Sequence, residues 1–251
     1  IERFDMLTET NEDAAVSAAA EHSTSGHGTY PILVAREDLQ FTPTSLADPV
    51  PTGAQVLAAA GVHQPTEHLL FQMLASGLLE EIRPEETIDL RMAGKEKFLV
   101  FRSDRSFRFQ LDGRAFDWGA SRISGATLKR LAGQDDTTHE VWLDVLGGSD
   151  REVANAELVD LAAPGVERFR TRPITITIIV NARRKELHQR RVSFWEIVML
   201  AFPEAVPAEN IIYTVNYARG PGANPEGSMV DGQQVQIKNE MTFYVTPTDK
   251  S

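Results

Sequence analysis

The alternation of apolar and polar residues predicts a short strand at three places separated by one interval. The segment HEVWLDVL, residues 139–146, resembles EHLLFQML upstream and NIIYTVNY downstream, and Phe71, Trp142 and Tyr213 lie 71 residues apart within them. Such alternation is typical of a half-buried strand. A period near seventy residues predicts three small consecutive units, each close to the lower size limit for independent folding.

A short amphipathic helix is predicted ahead of each of these strands. The segments TGAQVLAAAG, SGATLKRLAG and SFWEIVMLAF begin at Thr52, Ser124 and Ser193. Thr52 with Gln55, and Ser193 with Glu196, have the spacing of a capping box, which satisfies backbone amides at a helix start. The predicted apolar face of the third helix consists of Phe194, Ile197, Val198 and Ala201.

A strand pair is predicted before each helix, and a further strand at the end of each unit. Asp112–Gly113 suits a two-residue hairpin turn in the second unit, and Asn181–Ala182 occupies that place in the third, where Ala tolerates positive φ less well. The first unit requires a longer connection. The final strands open at Phe98, Phe169 and Phe243.

The element order, a hairpin, a helix, a strand, a short link and a strand, is that of the β-grasp or ubiquitin-like fold, although other small α+β domains can share it. The predicted fold is therefore α+β, with three tandem β-grasp domains after an N-terminal tail. The predicted boundaries are 1–29 for the tail and 30–103, 104–172 and 173–251 for the domains. Because the links 101–107 and 171–174 are very short, we expect the chain to stay whole.

Composition narrows the classes of function. The net charge of −11 disfavours nucleic-acid binding, and the absence of cysteine removes thiol catalysis and thiolate metal sites. No apolar run reaches membrane-spanning length and the first residues lack a signal-peptide layout, so we expect a soluble cytoplasmic protein without membrane association. The acidic, alanine-rich tail is helix-competent over residues 5–21, which we expect to dock on a domain of this or a neighbouring molecule, giving a homo-oligomer in the second case.

Several long segments resemble the bacterial multiubiquitin family. They are DPVPTGAQVLAAAG, LFQMLASGLLEEIRPEETIDL and FLVFRSDRSFRFQLDG in the first two units, and ITIIVNARRKEL, YTVNYARGPGANPEGSMVDG and FYVTPTDKS in the third. Nothing in the sequence places a nucleophile, a base and an orienting group together, so we do not expect an enzyme. The resemblance implies a protein modifier that is handled by an E1-like adenylating enzyme, an E2-like carrier and a processing or deconjugating peptidase. A scaffold of β-grasp units that self-assembles and holds partner proteins without being conjugated is the alternative.

The leading candidate site is the C-terminal tail, which lacks the terminal diglycine of ubiquitin. We expect an extended tail after Tyr244, because proline cannot donate to a sheet ladder and the last residues offer no core side chain. Either a non-glycine carboxylate is activated, or a peptidase first trims the end. The predicted conjugation and processing residues are Thr246, Pro247, Thr248, Asp249, Lys250 and Ser251.

The remaining candidates carry weaker chemistry. A basic island is either a solvated turn or a docking surface for an acidic partner, and it comprises Arg183, Arg184, Lys185, Arg190 and Arg191. His68 and His139 occupy one repeated position, with Asn210 as the expected third counterpart, and suit a turn-stabilising role. The loop 218–232 is glycine-rich but fits no nucleotide signature. We expect no metal, no cofactor and no catalytic residue.

Overall fold

The computed structural model describes residues 28–91, 95–207 and 211–249, and these form three units of similar element order. The first unit consists of β1 (Tyr30–Ala35), β2 (Thr42–Leu46), α1 (Gly53–Ala59), a 3-10 turn (Pro65–Glu67), β3 (His68–Met73), β4 (Leu79–Ile82) and β5 (Lys97–Arg102). The second consists of β6 (Phe107–Leu111), β7 (Arg114–Trp118), β8 (Arg122–Ser124), α2 (Gly125–Leu131), β9 (His139–Leu143), β10 (Arg151–Val153), β11 (Leu158–Asp160) and β12 (Glu167–Pro173). The third consists of β13 (Ile176–Val180), β14 (Arg183–Leu187), β15 (Arg191–Ser193), α3 (Phe194–Ala201), β16 (Ile211–Ala218), β17 (Glu226–Met229), β18 (Gln234–Gln236) and β19 (Thr242–Asp249). The predicted N-terminal docking segment lies outside the described residues.

Each unit contains a five-stranded mixed sheet with one strand order. The orders are β2-β1-β5-β3-β4, β7-β6-β12-β9-β10 and β14-β13-β19-β16-β17. In every unit the first two strands form an antiparallel hairpin, and the last strand runs parallel to the first. The helix between hairpin and later strands covers one sheet face. This topology confirms the predicted α+β fold with three tandem β-grasp units.

The hairpin turns and helix caps predicted from the sequence form in the structure. Asp112 and Gly113 have φ of 50° and 76°, and Asn181 and Ala182 have φ of 46° and 66°, so both tight hairpins use two positive-φ residues. The first unit bridges β1 and β2 through the longer loop 36–41. Both capping boxes form at the N-termini of α1 and α3.

The register of β16 in the third unit differs from the register that the 71-residue interval predicts. Phe71 lies opposite Leu99 on β5, and Trp142 lies opposite Arg170 on β12, in each case one residue after the phenylalanine that each unit repeats in its last strand. The residue after Phe243 is Tyr244, and its partner on β16 is Asn216. Asn216 therefore occupies the place of Phe71 and Trp142, and the predicted equivalence of Tyr213 is wrong.

Tyr213 instead occupies the place of the repeated histidines. His68 pairs with Arg102, His139 with Pro173, and Tyr213 with Pro247, which are the same positions in three sheets. The connection between helix and strand is longer in the third unit, so matching by sequence interval displaces the strand by three residues. Asn210, the predicted counterpart, lies outside the described residues.

Candidate functional site

The predicted tail begins inside the sheet. Thr246, Pro247, Thr248 and Asp249 continue β19 and pair with Thr214, Tyr213, Ile212 and Ile211 of β16. The expectation of a tail free of the sheet after Tyr244 is therefore wrong for these four residues. In the first two units the equivalent pairing stops at Arg102 and Pro173, two residues earlier relative to the buried phenylalanine. Lys250 and Ser251 lie outside the described residues.

Pro247 fits this strand because its nitrogen, which carries no hydrogen, points away from β16 to a side of β19 that has no neighbouring strand at this position. The Val245 amide donates to Asn181 Oδ1 at 2.8 Å, and its carbonyl accepts from Asn181 Nδ2 at 2.9 Å, so these groups point away from β16. Backbone direction alternates along a strand, and Pro247 shares the phase of Val245. β13 pairs with β19 only as far as Phe243, so beyond Val245 this side is open.

The side chains at the end of β19 are accessible. Thr246, Pro247 and Thr248 are exposed, whereas Phe243 and Val245 are buried in the core of the third unit. The strand thus leaves the core after Val245 while one edge remains paired. What holds these last residues is backbone pairing to β16 and not side-chain burial.

The structure divides the basic island into two parts. Arg183, Arg184 and Lys185 lie on β14, the edge strand of the third sheet, and Arg184 pairs with Glu240 at 2.7 Å. Arg191 lies on β15, which pairs with β18. Arg190 faces the second unit and belongs to a different surface.

Arg190 joins the second unit to the third. Its guanidinium donates to Glu140 at 3.0 Å and to Glu152, both from the second unit. Nearby, the buried Lys129 Nζ donates to the Asp136 carbonyl at 3.2 Å and to Asn155, and burial lowers the pKa of Lys129. Arg190 therefore crosses the junction through ion pairs, and Lys129 makes polar contacts within the second unit beside it.

The junction between the first and second units is apolar. Phe101 contacts Phe71 with 5.7 Å between ring centroids and Trp118 with 4.7 Å, and a Cβ added to Gly119 would lie 2.4 Å from the Phe101 ring. One buried cluster includes Phe71, Leu99 and Phe101 together with the core of the second unit. The helix side of the first sheet has a separate core.

This junction was not predicted, although one signal was present. The run FLVF at 98–101 is apolar at every position, which is typical of a strand buried on both faces. All four residues are buried. Three side-chain hydrogen bonds complete the junction, from Arg114 to the Ser76 carbonyl, from Thr127 to the Glu37 carbonyl and from Arg130 to the Asp38 carbonyl.

The histidines and the glycine-rich loop make local contacts. His68 Nδ1 lies 2.9 Å from the Gln64 carbonyl, and His139 Nδ1 lies 3.0 Å from Thr138 Oγ1. Within residues 28–91, 95–207 and 211–249, no group of three or more acidic or histidine side chains is placed to hold a metal ion. The glycine-rich segment 218–232 is not one continuous loop, because it contains β17. The connection between β16 and β17 is residues 219–225. In the same ranges no helix has the length and apolarity needed to cross a membrane.

Three β-grasp sheets in one chain define a tandem ubiquitin-like protein. A family model described as Multiubiquitin matches residues 36–103, 107–174 and 176–249, once for each unit, and the chain belongs to this family. No curated protein matches the chain closely enough to count as a relative.

Proposed function

We propose that this tandem ubiquitin-like chain is a modifier in a bacterial ubiquitination-like pathway. An E1-like enzyme adenylates its C-terminal carboxylate, and an E2-like carrier passes it to a target, after a peptidase has trimmed the end where this is needed. The observation that carries the proposal is the course of β19, whose last residues leave the core with exposed side chains and one open edge.

The end of β19 is suited to release into an enzyme channel. A backbone hydrogen bond contributes only about 0.5–1.5 kcal/mol net, and Thr246, Pro247 and Thr248 bury no side chain that would add to this. Peeling these residues from β16 therefore costs a few kcal/mol at most. Phe243 and Val245 remain anchored, so the third unit stays folded while its end is handled.

The test is adduct formation by the full chain with ATP and an E1-like enzyme of the proposed pathway. Mass spectrometry is expected to find a covalent adduct at the carboxyl end of the chain. Deletion of residues 246–251 is expected to abolish this adduct. Substitution of the sheet-equivalent Arg102 by Ala is the control, and it is expected to leave the product unchanged. Product formation by the deletion variant at the wild-type rate would contradict the proposal.

The basic edge strand is proposed to dock an acidic face of the E1-like enzyme. Arg183 and Lys185 on β14 are the residues to reverse, because Arg184 is already paired with Glu240. Changing both to Glu is expected to slow association at low salt and to have less effect at high salt. Equal rates for wild type and variant at low salt would remove this docking site from the proposal.

The second candidate function is an unconjugated scaffold that self-assembles and holds partner proteins. It is favoured by the pairing of Thr246 to Asp249 with β16, which keeps these four residues in a sheet. A chain that binds the E1-like enzyme but gives no adduct with ATP would support the scaffold. The cytoplasmic location and the role of residues 1–29 in oligomer formation stay predictions.

A further inference from the structure

The first unit has a cleft that the second unit lines with the end of its helix. The turn after β3 and residues 95–97 form one wall of this cleft, and Arg130, Leu131 and Gly133 at the end of α2 form the other. Leu131 is buried in the cluster shared by the two units. This is one junction in which a helix end meets the β3–β4 turn of the preceding unit.

The second unit has the equivalent cleft, and no helix among the described residues lines it. Leu143 lies opposite Phe169 as Gln72 lies opposite Phe98, so Val145, Leu146 and Val166 occupy the places of Leu74, Ala75 and Lys95. These three aliphatic side chains are 39%, 102% and 46% exposed. A cluster of exposed aliphatic side chains in two adjacent loops is typical of an interaction surface.

The third unit carries the helix equivalent to α2, but among the described residues the cleft of the second unit does not lie against it. Counted from the N-caps Ser124 and Ser193, Met199 takes the place of Arg130 and Phe202 that of Gly133. This surface of α3 is apolar, with Trp195 and Phe202 only partly buried and Met199 47% exposed. Val206, just beyond the helix, is 64% exposed. The chain therefore carries both halves of a junction of the first kind, and neither half is covered by the residues that the structure describes.

The two halves do not meet within one chain, because the second link is shorter. Phe109 and Ile178 are equivalent by register, yet Phe109 follows Phe98 by eleven residues whereas Ile178 follows Phe169 by nine. Two residues correspond to about 7 Å of extended chain. Ile174 in this link is buried, its amide donates to the Thr138 carbonyl at 2.8 Å, and Arg190 adds its ion pairs.

We propose that the α3 surface of one copy, Met199, Phe202 and Val206, binds the cleft of a second copy formed by Val145, Leu146 and Val166. The named side chains on both surfaces are apolar, although Asp144, Glu167 and Arg168 also line the cleft, and the two surfaces correspond by position to those through which α2 meets the first unit. The contact joins different surfaces of two identical chains, which makes it heterologous. It goes beyond the proposed modifier function and does not require an activated C-terminus.

A pair of complementary variants tests the interface. The wild-type mass, followed by sedimentation velocity over roughly a hundredfold range of concentration, is expected to rise above that of one chain. Leu146→Glu places a charge in the cleft, and Met199→Glu places a charge on the helix surface. Each variant alone therefore lacks one half of the interface and is expected to remain at the mass of one chain. Mixed together, the two retain one intact cleft and one intact helix surface, and they are expected to form a one-to-one heterodimer.

Val230→Glu is the matched control, because Val230 is exposed on a different turn of the third unit. It is expected to associate like the wild type, and circular dichroism checks that each variant is folded. Wild-type chains that keep the mass of one chain over the whole range would overturn the proposal. So would single variants that still associate, which would point to another surface such as residues 1–27, or a mixture of folded variants without heterodimer.

Discussion

The ring of Phe101, near the end of the first unit, meets the indole of Trp118 in the second unit edge to face, with 4.7 Å between centroids. Both side chains are buried, and Trp118 Nε1 donates to the Arg122 carbonyl at 3.2 Å. A contact of this kind adds about 0.5–1.5 kcal/mol to the burial of the two rings. Two units that share such a contact are expected to unfold together.

Trp118→Ala tests this coupling. Loss of the buried indole is expected to cost about 3–5 kcal/mol and to split one calorimetric transition of the first two units into two. Trp142→Ala is the control, because Trp142 is only half-buried on the outer sheet face, where Arg172 lies 5.0 Å from its ring. A smaller effect for Trp118 than for Trp142 would contradict a shared core.

The junction between the second and third units is expected to depend on salt. Arg190 pairs with Glu140 and Glu152, but its side chain is 43% exposed, so Arg190→Ala is expected to cost under about 1 kcal/mol at low salt and less at high salt. Small-angle scattering is expected to show a larger radius of gyration for the variant. Arg184→Ala, which breaks a pair within the third unit, serves as the control and is expected to leave the radius unchanged.

The hairpin between β13 and β14 holds an alanine in a strained conformation. Ala182 has φ of 66°, and the left-handed region costs a residue with a Cβ about 1–2 kcal/mol. Ala182→Gly is therefore expected to raise the free energy of unfolding by about 1 kcal/mol in urea titration, after allowance for glycine's greater freedom in the unfolded chain. Ala223→Gly, at ordinary φ in the connection 219–225, is expected to bring no gain.

The cap of α3 is expected to weaken in acid. Burial raises the pKa of Glu196, but the Ser193 amide at 2.6 Å and Gln189 Nε2 at 2.8 Å donate to its carboxylate, and the net result is a lowered pKa. A lowered folded pKa adds stability above the unfolded value near 4.5, and this stability is lost as pH falls through the folded pKa.

Glu196→Gln is expected to flatten this dependence while its amide oxygen still accepts from Ser193. Urea titrations between neutral pH and about pH 3 measure the difference between wild type and variant. The box of α1, formed by Thr52 and Gln55, is an internal reference because its partner is already an amide. An identical decline in wild type and variant would show that Glu196 is not the titrating group.

Local features of the fold could be predicted because their causes lie within a few residues. A capping box needs only Ser193 and Glu196, and a tight hairpin needs only Asp112 and Gly113. The register of β16 could not, because its partner strand β19 decides it. Tyr213 and Asn216 lie on opposite faces of the sheet, and an aromatic matched to an aromatic by interval alone gave the wrong face.

The conformation of the tail residues could not be predicted from the sequence. Sequence order places the tail after Tyr244, but it does not reveal that Asn181, more than sixty residues earlier, takes up both backbone groups of Val245. Arg190 shows the same limit. It was grouped with Arg183 by proximity along the chain, and only tertiary packing brings it to Glu140.

The burial of FLVF on both faces has a consequence for any enzyme that would divide the chain. A cut between Arg102 and Phe107 would release a piece whose outer sheet surface, with Phe71, Leu99 and Phe101, is no longer shielded from water. Such a fragment is expected to precipitate or to be captured by chaperones, unlike a freely diffusing monomeric tag.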